Sequence, residues 1–378
     1  MTIELSNNRP NAEQLHAFED KLNTIRENTM KNVGDKDARY IRKMIRIQRT
    51  GEVFGRLSLI LGFFHPLFWV AGVALLALSK ILDNMEIGHN VMHGQYDWMN
   101  DPHINSRNFD WDIWGDGESW KRYHNHEHHT YTNIIGKDRD YGYGLLRLSD
   151  DIPWRPKNRF QFITYFLLSS LFQFGIAYHE VAGERIFAGK RKEKSTLPIT
   201  REELKHSFFS KIKKQVFKEY VFFPTLAGIV FFPAFFKMFF SVMLGNFIAE
   251  IIRNWWTSSI IFCGHFTEEA QTFDQKECDN ETQGEWYYRQ ILGSSNLTGS
   301  RLFHILTGHL SCQIEHHLFP NVPAYHYVEM SKQVKEVCDE YHIPYNTGSF
   351  FKQYWTVVRR IAKYSFPTKT ERGLIKNS

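Results

Sequence analysis

Eight histidines fall in four short clusters that end or border apolar blocks. They are His89 and His93 in GHNVMH, His124, His128 and His129 in HNHEHH, His265 in CGHF, and His316 and His317 in QIEHHLFP. Histidines four residues apart share one helical face, with side chains about 5 to 6 Å apart. An adjacent pair with a further ligand-like residue one turn earlier makes a three-ligand edge. Brought together, such edges can surround two metal ions. A chain that carries them beside apolar segments must fold so that those places converge.

The apolar residues are concentrated in windows. A mean hydropathy of −0.40 taken alone describes a water-soluble chain, so the case for a membrane rests on the windows. Val53–Leu82 is long for one span of about 20 residues and short for two. Pro66, near its middle, either kinks one helix or turns a hairpin. Tyr220–Cys263 has room for two spans, divided near Lys237, whereas Phe160–Tyr178 is interrupted by Gln161 and Gln173. Residues 1–52 read as a polar helical segment, solvated or lying on a surface, with a weak apolar period in Leu15, Phe18, Leu22 and Ile25. Met1–Arg49 holds no apolar core of the kind a cleavable signal peptide needs.

Charge and cysteine narrow the partners. The formal net charge is +5, and the cations stand beside apolar segments, which fits membrane headgroups and argues against nucleic acid. The four cysteines form no paired framework and read as reduced thiols. Arg39, Arg42, Lys43, Arg46 and Arg49 precede the first apolar block, and Lys190, Arg191, Lys192, Lys205, Lys211, Lys213 and Lys214 precede the third. Positive flanks mark the cytoplasmic side. If all four clusters meet, an even number of spans separates His129 from His265. The third block supplies two, so Phe160–Tyr178 is expected to lie in the interface or half-buried.

Other metal chemistries fit the spacing less well. The zinc-protease pattern HExxH fails, because His179-Glu180-Val181-Ala182-Gly183 ends in glycine. Soluble di-iron bundles use two Glu-x-x-His motifs in an apolar core; of the two matches here, Glu203-Leu204-Lys205-His206 sits in a Lys-rich loop. A haem held between membrane helices needs histidines in mid-span. Structural zinc closes with four ligands, whereas eight or nine nitrogens suit two borderline ions such as iron. Gln313 shares a helical face with His316 and His317, and His309, two turns before His316, is a further candidate ligand.

GHNVMHGQYDW, HNHEHHTYTN, CGHF and GHLSCQIEHHLFPNVP together resemble the histidine boxes of the membrane fatty acid desaturase family. The likeness runs from about Arg39 to Met330 and is nearest to the branch whose third box begins with Gln, which includes front-end and actinobacterial acyl-CoA or acyl-lipid desaturases. It implies an all-α integral membrane fold of about four transmembrane helices with a cytoplasmic helical cap. The expected organisation is an N-terminal segment 1–52, a desaturase domain 53–330 and a basic C-terminal segment 331–378. Carried over residue by residue, the iron ligands are His89, His93, His124, His128, His129, His265, His316 and His317. Gln313 takes the place of a further histidine found in other branches. His309 departs from the branch pattern, where a small or amide residue is more usual.

Family membership further implies two iron ions, O2 as co-substrate, and no catalytic side chains beyond the metal ligands. The substrate would be a fatty acyl-CoA or acyl-lipid, given a cis double bond, and the setting a bacterial inner membrane rather than endoplasmic reticulum. Electrons would come from a separate ferredoxin- or cytochrome b5-like donor with its NAD(P)H reductase. The one His-Pro here, His65-Pro66, is not followed by the glycines of a fused cytochrome b5, and Gly115-Asp116-Gly117 lacks the third glycine of a dinucleotide loop. Trp98, Trp111, Trp114 and Trp255 are candidates to line an acyl tunnel, with core or interfacial tryptophan as the plainer reading of each. A di-iron hydroxylase or ketolase and a non-enzymatic membrane metal-binding protein are the alternatives.

Overall fold

In the computed structural model, which describes residues 9–183, 187 and 200–368, helices carry most of the regular backbone. Lys190, Arg191 and Lys192, and the two ends of the chain at 1–8 and 369–378, lie outside the described residues.

Two long helical hairpins form one half of the molecule. α2 (Asp35–Leu61) turns through 62–65 into α3 (Pro66–Met92). Pro66 occupies the first helical position, where its missing N–H is no loss, and His65 caps the helix by accepting from Leu67 N at 3.2 Å. The block Val53–Leu82 is therefore a hairpin and not one kinked helix. Its arms touch closely: a Cβ on Gly72 would meet Leu59 N at 2.6 Å. The second hairpin joins the helical run 201–230, α7, to α8 (Phe235–His265, 31 residues). Its turn at 231–234 falls just before Lys237, where the division was expected. Leu59, Val73, Leu76, Ala227, Met238, Val242 and Ala249 lock the hairpins together.

Both hairpin tips expose large apolar side chains, Phe64 and Leu67 on one and Phe232 and Phe236 on the other. Among the described residues, α3 and α8 are each long and apolar enough to cross a membrane. α5 (Gln161–Ser170) and α6 (Phe172–Glu180) qualify only as a pair that bends by 90° at their junction. Phe160–Tyr178 is accordingly not a straight span.

The opposite half is a cap built from α1 (Ala12–Met30), the helical run α4 (117–131), α9 (Gln283–Leu292), α10 (Arg301–Leu306), α11 (Gln313–Leu318), α12 (Tyr327–Glu340) and α13 (Phe350–Tyr364). α1 starts with a capping box between Asn11 and Gln14. Its Leu15, Phe18, Leu22 and Ile25 are buried against residues of α9 and α12, so the segment is docked on the cap and not solvated all round. α12 runs through residue 330, and its Val334 and Cys338 share the α1 core. The fold is also not purely helical: β1 (Asn296–Thr298) and β2 (Thr347–Ser349) pair in parallel, Leu297 opposite Gly348. This ladder ties the segment before α10 to the start of α13.

Candidate metal centre

The histidines on α3 and α4 sit at or just beyond π-helical turns, Leu82–His89 and Lys121–His128. A π-turn widens the helix by one residue and is frequent at functional sites. On α4 it lets His124 face two neighbours at once, with ring centroids 5.0 Å from both His128 and His129. His89 and His93 stand 4.6 Å apart on α3. His265 ends α8, and α11 presents His316 and His317 from the cap.

All eight converge. The ring nitrogens of His89, His93, His124 and His316 form one group, and those of His128, His265 and His317 a second, each within 4.8 Å of one another. His129 lies between them, grouped with His316 and His317. Gln313 joins the second group, its Nε2 2.9 Å from His265 Nε2. His126, left out of the ligand set, is exposed.

His309 does not join. The two-turn spacing to His316 assumes a continuous helix, but Gly308 and His309 both have positive φ (63° and 57°) before a tight turn at Leu310–Cys312. That left-handed step rotates His309 away. Its Nδ1 lies 3.0 Å from Glu86 Oε2, and the Tyr40 hydroxyl donates to the other Glu86 oxygen at 2.6 Å.

The donor set suits a metal. Buried polar atoms are nearly always hydrogen-bonded, yet His93 Nε2, His124 Nε2, His265 Nδ1, Gln313 Oε1 and both ring nitrogens of His129 and His316 are buried without a protein partner. Burial, then the neighbouring imidazoles, holds His93, His129, His316 and His317 well below the ordinary histidine range. These rings are neutral, with lone pairs free to bind a cation. His128 goes the other way: burial opposes its charged form, but Asp138 and Asp140 outweigh burial and raise it.

Fixed acceptors orient the rings. His128 Nδ1 is 3.1 Å from Asp138 Oδ1, His124 Nδ1 is 3.3 Å from Asp140 Oδ2, and His317 Nδ1 is 3.0 Å from Gln290 Oε1. Asp138 is itself held by Asn133 N at 2.8 Å, and Asp140 meets His179 Nε2 at 3.0 Å. Such partners fix which nitrogen faces a metal and raise its basicity. Sequence reasoning missed them. The one available signal was the Asp-x-Asp at 138–140, ten residues after His128. Glu315, beside the pair on α11, is gripped by Asn296 Nδ2 and the Tyr345 hydroxyl, both at 2.8 Å, and burial pushes its carboxyl up to about 7.

A pocket opens beside the two groups. His89, His124, His128 and His265 form one side of it, Trp111, Trp120, Phe172, Ile176, Ile261 and Phe266 give it apolar wall, and Gln173, Glu180, Asn254 and Thr257 add polar groups to the lining. Of the four tunnel tryptophans expected, Trp111 lines this space. Trp98 is exposed, Trp114 packs on Phe174, and Trp255 on Phe166. Trp120, not foreseen, stacks on His124 with centroids 4.4 Å apart.

A protein-family model described as fatty acid desaturase matches residues 64–349, which hold every one of these histidines. The chain belongs to the fatty acid desaturase family. It is 42% identical over 349 residues to an NADPH-dependent stearoyl-CoA 9-desaturase of Mycobacterium tuberculosis, covering 92% of this chain and 79% of that one. It is 27% identical over 287 residues to an sn-1 linoleoyl-lipid 6-desaturase of Synechocystis sp., covering 74% and 76%. The desaturase is thus a membrane enzyme that introduces a double bond into a fatty acyl chain, and its histidine clusters fit the di-iron boxes of its family.

Proposed function

We propose that this desaturase converts a saturated acyl-CoA to its cis-unsaturated product, using O2 and two iron ions held at the converged histidines. The carrying observation is the pair of histidine groups with uncommitted ring nitrogens flanking an apolar pocket. His89, His93, His124 and His316 would hold one ion, and His128, His265 and His317, with Gln313, the other; His129 stands between. Iron bound there supplies the O2-derived oxidising power that an unactivated methylene requires. Overall, two hydrogens leave the chain, two electrons and two protons come from outside, and O2 becomes two waters.

The protein's own part is positional. Asp138 and Asp140 hold the His128 and His124 rings, and Gln290 holds His317. Trp111, Trp120, Phe172 and Ile261 offer the chain a dry wall. The 42% identity to a stearoyl-CoA 9-desaturase, against 27% to an acyl-lipid enzyme, favours a CoA thioester and the 9-position. That relative's NADPH dependence fits a separate donor fed by an NADPH-oxidising reductase.

In our reading all four hairpin arms cross the bilayer, the bent pair α5–α6 lies in the interface, and the cap faces the cytoplasm. A desaturase domain at 53–330 then carries residues 1–52 and 331–378 as parts of one cap. Expression of wild type and His128→Ala in a host, with fatty acids resolved by mass spectrometry, tests the function. A new cis-unsaturated chain from wild type alone supports it. No new unsaturated chain from wild type overturns it.

A further inference from the structure

α13 has two unlike faces. Inward, Val357, Ile361 and Tyr364 are buried, and Arg360 clamps the helix to the body, donating to Leu148 O at 2.8 Å, Thr267 O at 2.6 Å and Ala270 O at 2.8 Å. Outward, Phe351 and Trp355 are 83% and 61% exposed, one turn apart, and Phe366, just past the helix end, is exposed as well. Lys352, Arg359 and Lys363 are exposed around them. A helix in water gains nothing by exposing two adjacent aromatic rings on its surface.

What covers this face is indicated by its neighbours. Gln161, the first residue of α5, donates to Ile361 O at 2.9 Å, and Trp154 Nε1 donates to Ser365 O at 3.0 Å. α13 is therefore strapped along the bent pair, whose Phe160, Ile163 and Phe166 are exposed in their turn. Phe350, at its start, lies 6.0 Å from Trp256 of α8, at the histidine end of that membrane-crossing helix. Arg155, Lys157 and Arg159 add exposed cations where the strap meets α5. Apolar and aromatic side chains rimmed by Lys and Arg, continuous with a lipid-facing surface, are the pattern of a helix lying in a membrane interface.

We propose that α13 is an interfacial anchor: Phe351 and Trp355 enter the acyl–headgroup boundary of the bilayer, and Lys352 and Lys363 meet lipid phosphates, while Arg359 beside them pairs with Glu268. The occupant is phospholipid and not a protein partner. Because Arg360 grips residues two and five positions past His265, the anchor also fixes the depth at which the histidine centre sits below the headgroups. The inference rests on the membrane setting of the family and not on the metal assignment.

A nitroxide label reports it. Full-length protein with Cys278→Ser is labelled at Phe351→Cys, at Trp355→Cys or, as control, at Lys332→Cys on exposed α12, and placed in nanodiscs of phosphatidylcholine and phosphatidylglycerol. Labels at 351 and 355 are expected to relax faster with O2 than with a water-soluble nickel complex, and the label at 332 the reverse. A water-like response at 351 and 355, matching 332, overturns the anchor, including the case in which a protein partner normally covers it. A monodisperse gel-filtration peak and a Tm within a few degrees of the unlabelled protein, measured on the same samples, establish that the labelled proteins are folded.

Discussion

Two buried polar sets share these helices and are balanced in opposite ways. In the hairpins, Arg56, Lys80, Glu219, Glu250 and Arg253 form a charge network. Arg56 donates to both oxygens of Glu219 at 2.7 and 2.8 Å, and Lys80 bridges Glu219 at 3.0 Å and Glu250 at 2.7 Å. Arg253 and Gln173 complete Glu250. All four carboxylate oxygens are satisfied from within the protein. At the helix ends the histidine set is crowded and left with unpartnered nitrogens. Charges buried in a membrane survive only when paired, and the first set pairs every carboxylate oxygen without a ligand, leaving only Arg56 Nε, Arg253 Nε and Gln173 Oε1 without a partner. The second is complete only with a ligand.

His316→Ala tests that contrast most severely. It removes a ring that sits 4.7 Å from His93 and 4.8 Å from His129. We expect iron to fall below two per chain by metal analysis and product to vanish, while the iron-free protein's Tm holds or rises as buried lone pairs are lost. Unchanged iron would break the ligand assignment.

Glu219→Gln should do the converse. It leaves Arg56 and Lys80 short of their shared counter-charge, and breaking a buried pair costs about 3–5 kcal/mol. The expected outcome is a large drop in Tm in detergent, with iron per folded chain unchanged. Loss of iron at unchanged Tm would show that the two sets are coupled, and the contrast would fail.

How much of this could be read in the sequence depends on the range of the interaction. The histidine boxes were legible because helix geometry converts spacing into shared faces, and the second hairpin because its window has room for two arms, whereas Pro66 left kink and hairpin both open for the first. Contacts such as Glu86 to His309 or His317 to Gln290 join distant segments and leave no periodic trace. The π-turns, which let His124 reach two partners, break the regular spacing such reasoning relies on. The burial of α1 was missed because its apolar stripe is narrow and its docking face on α12 lies three hundred residues away. Asp138 and Asp140 were passed over for a simpler reason: the alternating charges Lys137-Asp138-Arg139-Asp140 in a loop after a histidine box are usually just solvated.

Asp138→Asn probes the outer shell of the site. Asn keeps the size and one acceptor but removes the charge beside His128, and partners of metal-bound histidines are worth about 10–100-fold in metal affinity. We expect iron to be retained at saturating metal but lost to a competing chelator at about 10–100-fold lower concentration than in wild type. Retention equal to wild type would assign Asp138 to loop structure alone.

The smallest expected effect separates the two sets at their boundary. His309 is buried like a ligand but paired like a member of the charge network, its Nδ1 on Glu86, which also holds Tyr40. His309→Gln keeps a hydrogen-bond donor for Glu86 at similar length, so Tm should fall by only a few degrees. Iron should stay at two per chain, because His309 lies outside both histidine groups. Loss of one iron would return His309 to the ligand set and require the left-handed turn at 308–309 to rearrange when metal binds. Full iron with a modest Tm change would place the boundary between the sets at Glu86, one turn before His89 on the same π-widened helix.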